Sequence, residues 1–262
     1  MTVALQGRSL EKSFGGVHAI RDVSFTIEEG SLIGLIGPNG AGKSTLFNMF
    51  TNLYPPDKGT VEFFGINLAG KTEDEIARLG LIRTFQTARV FAEMTVLENV
   101  MIGAHLTVRS SPWAEAFWVP SVGREEVGIR KKAEALLELL GLSRFADESA
   151  TNLPMGSQKL LELARAVMAG PRVLLLDEPA AGLNDAETAE LARLITAIRH
   201  AGTTIVVVEH NMSLIMGIAD YVLVLDAGRL IAEGPPKEIQ ANEKVIEAYV
   251  GRGLDAVLAE AH

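Results

Sequence analysis

The chain has 262 residues, with 24 Lys and Arg against 33 Asp and Glu, a formal net charge of −9, and no cysteine. The missing cysteines exclude disulfides, thiol nucleophiles and thiolate metal sites, and the acidic balance argues against general nucleic-acid binding. At about 150 residues per domain the length suits one large domain, or one with a sizeable subdomain; no apolar run approaches the roughly 18 residues that span a bilayer, and no basic stretch followed by an apolar one marks a signal peptide.

Strand-like runs alternate with helical patterns along the chain, which predicts an α/β fold. Val3 to Leu10 and Val23 to Ile27 read as strands, and Ser31 to Ile36 as a buried strand running into a Gly-rich turn. Lys43 to Leu53 carries Leu46, Met49, Phe50 and Leu53 at helical spacing. Tyr54 to Gly59 is a turn, and Thr60 to Phe64 returns as a strand. From about Thr87 to Asn152 the pattern is mostly helical, clearest over Val96 to Leu106 and Glu125 to Leu140. Strands resume at Val173 to Leu176, Thr204 to Val208 and Tyr221 to Leu225, with a helix from about Ala186 to His200 between the first two.

The loop after the first buried strand reads Gly37-Pro38-Asn39-Gly40-Ala41-Gly42-Lys43-Ser44-Thr45 and fits the phosphate-binding pattern G-x-x-x-x-G-K-[ST] in its strand–loop–helix setting. Its glycines let successive N–H groups converge on one anion, and the helix start adds partial positive charge. Lys43 is expected to reach the β- and γ-phosphates, and Ser44 to place its hydroxyl on Mg²⁺.

The apolar strand Val173 to Leu176 ends in Asp177-Glu178-Pro179. A strand buried on both faces delivers its first polar residue at the carboxyl edge of the sheet, where the phosphate loop lies. Asp177 is therefore expected to hold Mg²⁺. Glu178, turned the other way by the pleat, is expected to orient or deprotonate the attacking water.

Further segments narrow this choice. Arg83-Thr84-Phe85-Gln86, Leu153-Pro154-Met155-Gly156-Ser157, Ala181-Gly182-Leu183-Asn184 and Glu209-His210, with the two motifs above, resemble the ATP-binding cassette (ABC) family over about Leu5 to Gly251. Three stretches are similar to the ATPase subunits of branched-chain amino-acid importers: Phe14 to Ala19, Glu93 to Asn99 and Glu178 to Asn184. The resemblance implies an α/β P-loop NTPase of ABC ATPase type, with a mostly parallel core sheet, an antiparallel β subdomain and an inserted helical subdomain. Residues 1–86 and 153–250 would form the core with the β subdomain, 87–152 the helical subdomain and 251–262 a tail.

It also implies roles. Gln86 would touch Mg²⁺ and water, His210 the γ-phosphate, Phe14 the adenine, and Gly156 the partner's nucleotide. Two positions depart from the family's LSGGQ signature. Pro154 replaces a Ser and removes a backbone donor, and Met155 replaces a Gly. Asn184 stands where Asp is common.

The implied function is ATP hydrolysis coupled to solute import, of branched-chain or related amino acids. The implied partners are a second ATPase subunit, transmembrane permeases and a periplasmic or extracellular solute-binding protein, with no nucleic acid, and the implied place is the cytoplasmic face of the membrane. Thr87 to Phe91 and the segment Pro112 to Trp118, which holds both tryptophans (Trp113 and Trp118), are candidates for the permease contact, the aromatics being equally suited to packing the helical segment. The ATPase of a lipid or lipopolysaccharide exporter is the alternative, and a cassette acting on nucleic acid a more distant one.

Overall fold

A computed structural model describes residues 2–84, 90–106 and 120–249, with the backbone alone at 106 and over 120–125. Gln86, Trp113, Trp118 and the expected tail lie outside the described residues.

Two sheets organise the molecule. The first is antiparallel, in the order β2-β1-β4-β5, built from β1 (Val3–Phe14), β2 (Val17–Glu28), β4 (Lys58–Phe63) and β5 (Ile66–Asn67). β1 and β2 form a longer hairpin than the apolar runs predict, closed by Gly15 and Gly16 at positive φ. Its outer half carries polar residues on both faces, so hydrophobic patterning did not reveal it. From Val23 onward β2 alternates as a half-buried strand should, with Val23, Phe25 and Ile27 inward, while Asp22 at φ 50° breaks the period and leaves Ile20 inward as well.

The second sheet has the order β10-β9-β3-β8-β7-β6. Its strands are β3 (Leu32–Ile36), β6 (Leu81–Arg83), β7 (Val173–Asp177), β8 (Thr204–Val208), β9 (Tyr221–Asp226) and β10 (Arg229–Gly234). All neighbours are parallel except the β9–β10 hairpin. Every residue of β3, β7 and β8 is buried, because both faces of the sheet are covered. One face, through Ile33, Leu35, Leu175, Val206 and Leu223, meets the antiparallel sheet and α1 (Lys43–Phe50), where Phe47 and Phe50 are fully enclosed. Burying one such side chain contributes about 1.5–3 kcal/mol.

The other face, through Leu32, Leu174, Leu176, Ile205 and Val207, meets α5 (Met155–Met168), α6 (Asp185–His200) and α7 (Met212–Ile218). Between the sheets' strands in sequence lie α2 (Glu73–Leu79), α3 (Val96–Met101) and α4 (Pro120–Leu139), and α8 (Pro236–Gln240) follows β10. The helix predicted over Val96 to Leu106 is α3 followed by a tight 3₁₀ stretch, Ile102–Leu106. There Gly103 approaches the Arg165 carbonyl so closely that a Cβ would sit 2.2 Å from it. α3 and α4 pack on α5 through Val96, Val100, Ala133 and Leu137, continuous with the core beneath β7. Among the described residues no helix is long and apolar enough to cross a membrane.

Candidate nucleotide site

Parallel register brings three strand ends to one edge: Leu35 of β3 is opposite Val208 of β8, and Val208 is opposite Asp177 of β7. The glycine loop, the 177–178 carboxylates and the Glu209-His210 pair leave the sheet side by side there. This is the carboxyl edge where open α/β sheets bind ligands.

The loop is shaped by its glycines. Gly37, Gly40 and Gly42 have φ of 151°, 75° and 104°. A Cβ on Gly37 would lie 2.1 Å from the Leu225 carbonyl, and one on Gly42 2.6 Å from that of Ala19. α1 starts with Gly42 as its cap, with no side chain capping it and no acid in its first turn. With neither a capping side chain nor a first-turn acid competing there, the start of the helix is suited to an external anion. Lys43 is buried, with Nζ donating to the Gly37 and Pro38 carbonyls at 2.7 and 3.1 Å. A cavity of about 560 Å³ opens over this loop, lined by residues 39–45, by Val17 to Ala19 and Arg21, by Glu178 and His210, and by Ala227 and Gly228. That volume lies in the ordinary range for a small-molecule site. A larger hollow of about 840 Å³ lies at the opposite strand ends, beside Ser31 and Asp220; it holds none of the convergent phosphate-binding groups.

Glu178 has φ of 47°. It has left β7 in a left-handed turn, so this turn, not the pleat, aims its carboxylate. Its N–H donates to the Val208 carbonyl at 2.9 Å. Its Oε1 lies 3.0 Å from His210 Nε2, at the cavity wall. Asp177 is buried, and Arg83 donates to its Oδ2 at 2.7 Å. Arg83 also donates to Asn48 Oδ1 and lies over the Phe47 ring at 5.1 Å, so it ties β6 to α1 and β7. Glu209, also buried, accepts from the Ala180 N–H at 2.6 Å and the His210 N–H at 3.0 Å.

Sequence reasoning gave Arg83 and Glu209 no role. Arg83 was visible only as part of the RTFQ run. Glu209 ends a second buried strand in the same way as Asp177, and that parallel was the available signal.

Phe14 stands at the tip of β1, exposed, edge-to-face with Tyr54 at 5.3 Å between centroids. The cavity wall nearest it in sequence is Val17 and His18 rather than Phe14. Gly156 does not line this cavity; it packs on the start of α6, where a Cβ would meet Glu187 Oε1 at 2.6 Å. Asn184 caps α6, its Oδ1 accepting from the Glu187 N–H at 3.0 Å while Glu187 accepts from the Asn184 N–H at 2.9 Å. An amide caps as well as a carboxylate.

A glycine-cradled anion site with a buried lysine, set against two strand-end carboxylates, defines a P-loop nucleotide hydrolase. The ABC transporter pattern matches residues 20–181, and a branched-chain amino acid ATP-binding cassette transporter pattern matches residues 229–255. The chain belongs to the ABC transporter family and is an ATP-binding, ATP-hydrolysing subunit.

It is 43% identical to the high-affinity branched-chain amino acid transport ATP-binding protein LivG of Salmonella typhimurium, over 91% of this chain and 94% of that one. It is 42% identical to LivG of Escherichia coli K12, over 94% and 97%. Among solved structures it resembles an ATP-binding cassette of an ABC transporter in its ADP conformation. The TM-score is 0.82 and the identity 34%, over 96% of this chain and all of that one.

Proposed function

We propose that the chain is the ATPase subunit of an importer for branched-chain amino acids. In this reading it works with a second ATPase subunit, membrane permeases and an external solute-binding protein, at the cytoplasmic face of the membrane. The similarity to LivG proteins along nearly the whole chain supports the cargo. The observation that carries the chemistry is the Glu178–His210 contact of 3.0 Å beside the glycine loop.

Residues 39–45 offer backbone N–H groups to the phosphates, and Lys43 turns from the Gly37 and Pro38 carbonyls to the β- and γ-phosphates. Glu178 takes the proton of the attacking water while the bond from the γ-phosphorus to the bridging oxygen breaks, leaving ADP and phosphate. His210 holds the carboxylate and the γ-phosphate in register. Mg²⁺ fits the donors present: the Ser44 hydroxyl and Asp177, whose Oδ1 makes no hydrogen bond among the described residues; Gln86, outside the described residues, would by the family resemblance add a further oxygen donor. Bound there the ion would offset phosphate charge. Phe14 would stack on adenine, and Gly156 would face the partner's nucleotide.

Residues 87–152 are proposed as the helical subdomain that meets the permease. At its start Phe91 is exposed, with the Arg165 guanidinium 5.2 Å from its ring centroid.

The test is uptake of labelled leucine by cells lacking this subunit. The native chain should restore it, and Glu178→Gln should bind ATP yet restore neither uptake nor steady-state hydrolysis. Unchanged hydrolysis by Glu178→Gln would exclude that residue as the base. Hydrolysis without restored uptake of any branched-chain amino acid would exclude the cargo.

A further inference from the structure

Lys159 lies one turn into α5, and among the described residues its ammonium forms no ion pair with a carboxylate. It donates to three main-chain carbonyls of the turn that follows β7: Glu178 and Pro179, each at 3.4 Å, and Ala181 at closer range. An ammonium has three protons, and here each has a carbonyl. Burial lowers the Lys159 pKa, opposed by the charges of Glu209, Glu162 and Glu178.

That turn has a conformational cost to meet. Glu178 sits at φ 47°, a left-handed conformation that disfavours any side-chain-bearing residue. On its N–H side the turn is held by Val208 and Glu209: the Glu178 N–H meets the Val208 carbonyl, and the Ala180 N–H meets Glu209. On its carbonyl side Lys159 gathers three of the oxygens. The turn carries the Glu178 carboxylate at one end and leads into the Asn184 cap of α6 at the other. Lys159 itself stands five residues beyond Pro154, where α5 begins.

We propose that Lys159 is a positioning residue for hydrolysis. It fixes the peptide planes of 178–181, and so the direction of the Glu178 carboxylate, and it makes that direction depend on where α5 lies. The N-terminal end of α5 is the end expected to face the partner's nucleotide. Lys159 therefore relays the position of that end to the chain's own hydrolytic carboxylate. This inference rests on the proposed role of Glu178 as base.

The test compares Lys159→Met, which keeps the length and loses the donors, with Lys159→Arg, which keeps donors, in the full chain with labelled ATP. Lys159→Met should lower kcat on the order of 10- to 100-fold, as expected for a misplaced catalytic group. Its KM for ATP and its binding of a fluorescent ATP analogue should stay within about twofold, because the glycine loop is untouched. Lys159→Arg should recover most of kcat. Should Lys159→Met fail to fold, Lys159→Gln is read by the same criteria. Unchanged kcat, or a loss of ATP affinity equal to the loss of kcat, overturns the proposal. An inactive Glu178→Gln beside a normal Lys159→Met removes the relay alone. A normally active Glu178→Gln removes the base on which the relay depends.

Discussion

Gly37 illustrates how a single backbone position sets the site. Its φ of 151° is one that side chains rarely adopt, and its neighbour at 2.1 Å from an added Cβ is the Leu225 carbonyl, part of β9 and unable to rotate away. Gly37→Ala should therefore lose about 2–4 kcal/mol in denaturant unfolding, from strain and overpacking together, and lose ATP-analogue binding. Gly40→Ala is the control for conformation alone. Its φ is 75° but a Cβ there meets nothing within 4 Å, so its cost should stay near 1 kcal/mol. Equal losses for the two variants would show that crowding by Leu225 is not what the first glycine avoids. These glycines, Lys43 and the 177–178 pair were legible because their function lies in contiguous sequence. Arg83, Glu209 and Lys159 were not. Each acts on a residue brought near only by sheet register or by α5 packing, and no local spacing encodes that.

At the scale of elements, side-chain caps fix several helix starts, of which those of α3 and α6 were read from apolar spacing and that of the short α2 was not. Thr72 with Glu75, Thr95 with Glu98 and Asn184 with Glu187 are capping boxes at α2, α3 and α6. Strands buried on both faces were equally readable, while β10, α7 and the outer half of the β1–β2 hairpin lacked a strong period. The α3 cap also gives a pH prediction. The Thr95 N–H and hydroxyl donate to Glu98 and hold its carboxyl below the ordinary value of 4.5. The folded state thus favours the carboxylate. Its contribution is complete above pH 4.5 and is lost as pH falls through the lowered value. Glu98→Gln keeps a capping side chain but removes this titration. It should be less stable than the native chain at pH 7, with the gap closing as the pH is lowered past 4.5. Melting temperatures across that range would show it, and a gap constant with pH would refute it.

For the whole molecule, the lining of the nucleotide cavity has a consequence for assembly. Residues 153–158 contribute nothing to it among the described residues, so within one chain the start of α5 does not face that chain's own glycine loop. A second chain must therefore supply the closing surface if α5 is to meet a phosphate. In this chain that surface is weak. Pro154 is the cap, without a side-chain hydrogen bond, and Met155 behind it is 68% exposed. Proline offers neither a hydroxyl nor an N–H, and a methionine side chain takes the space that a glycine would leave beside the partly positive helix end. Two copies of this chain would thus pair two competent glycine loops with two poor closing surfaces, whereas a different ATPase subunit with a serine and glycines there would complete this chain's site. The chain alone should hydrolyse ATP slowly and without cooperativity in ATP or in protein concentration. Restoring the donor and the space with Pro154→Ser plus Met155→Gly should raise turnover of the lone chain by about tenfold or more, the scale of regaining a transition-state hydrogen-bond donor. Fast cooperative turnover by the unaltered chain alone would instead mean that Gly156 and the following N–H groups suffice to close the partner's site, and the need for a different second subunit would disappear.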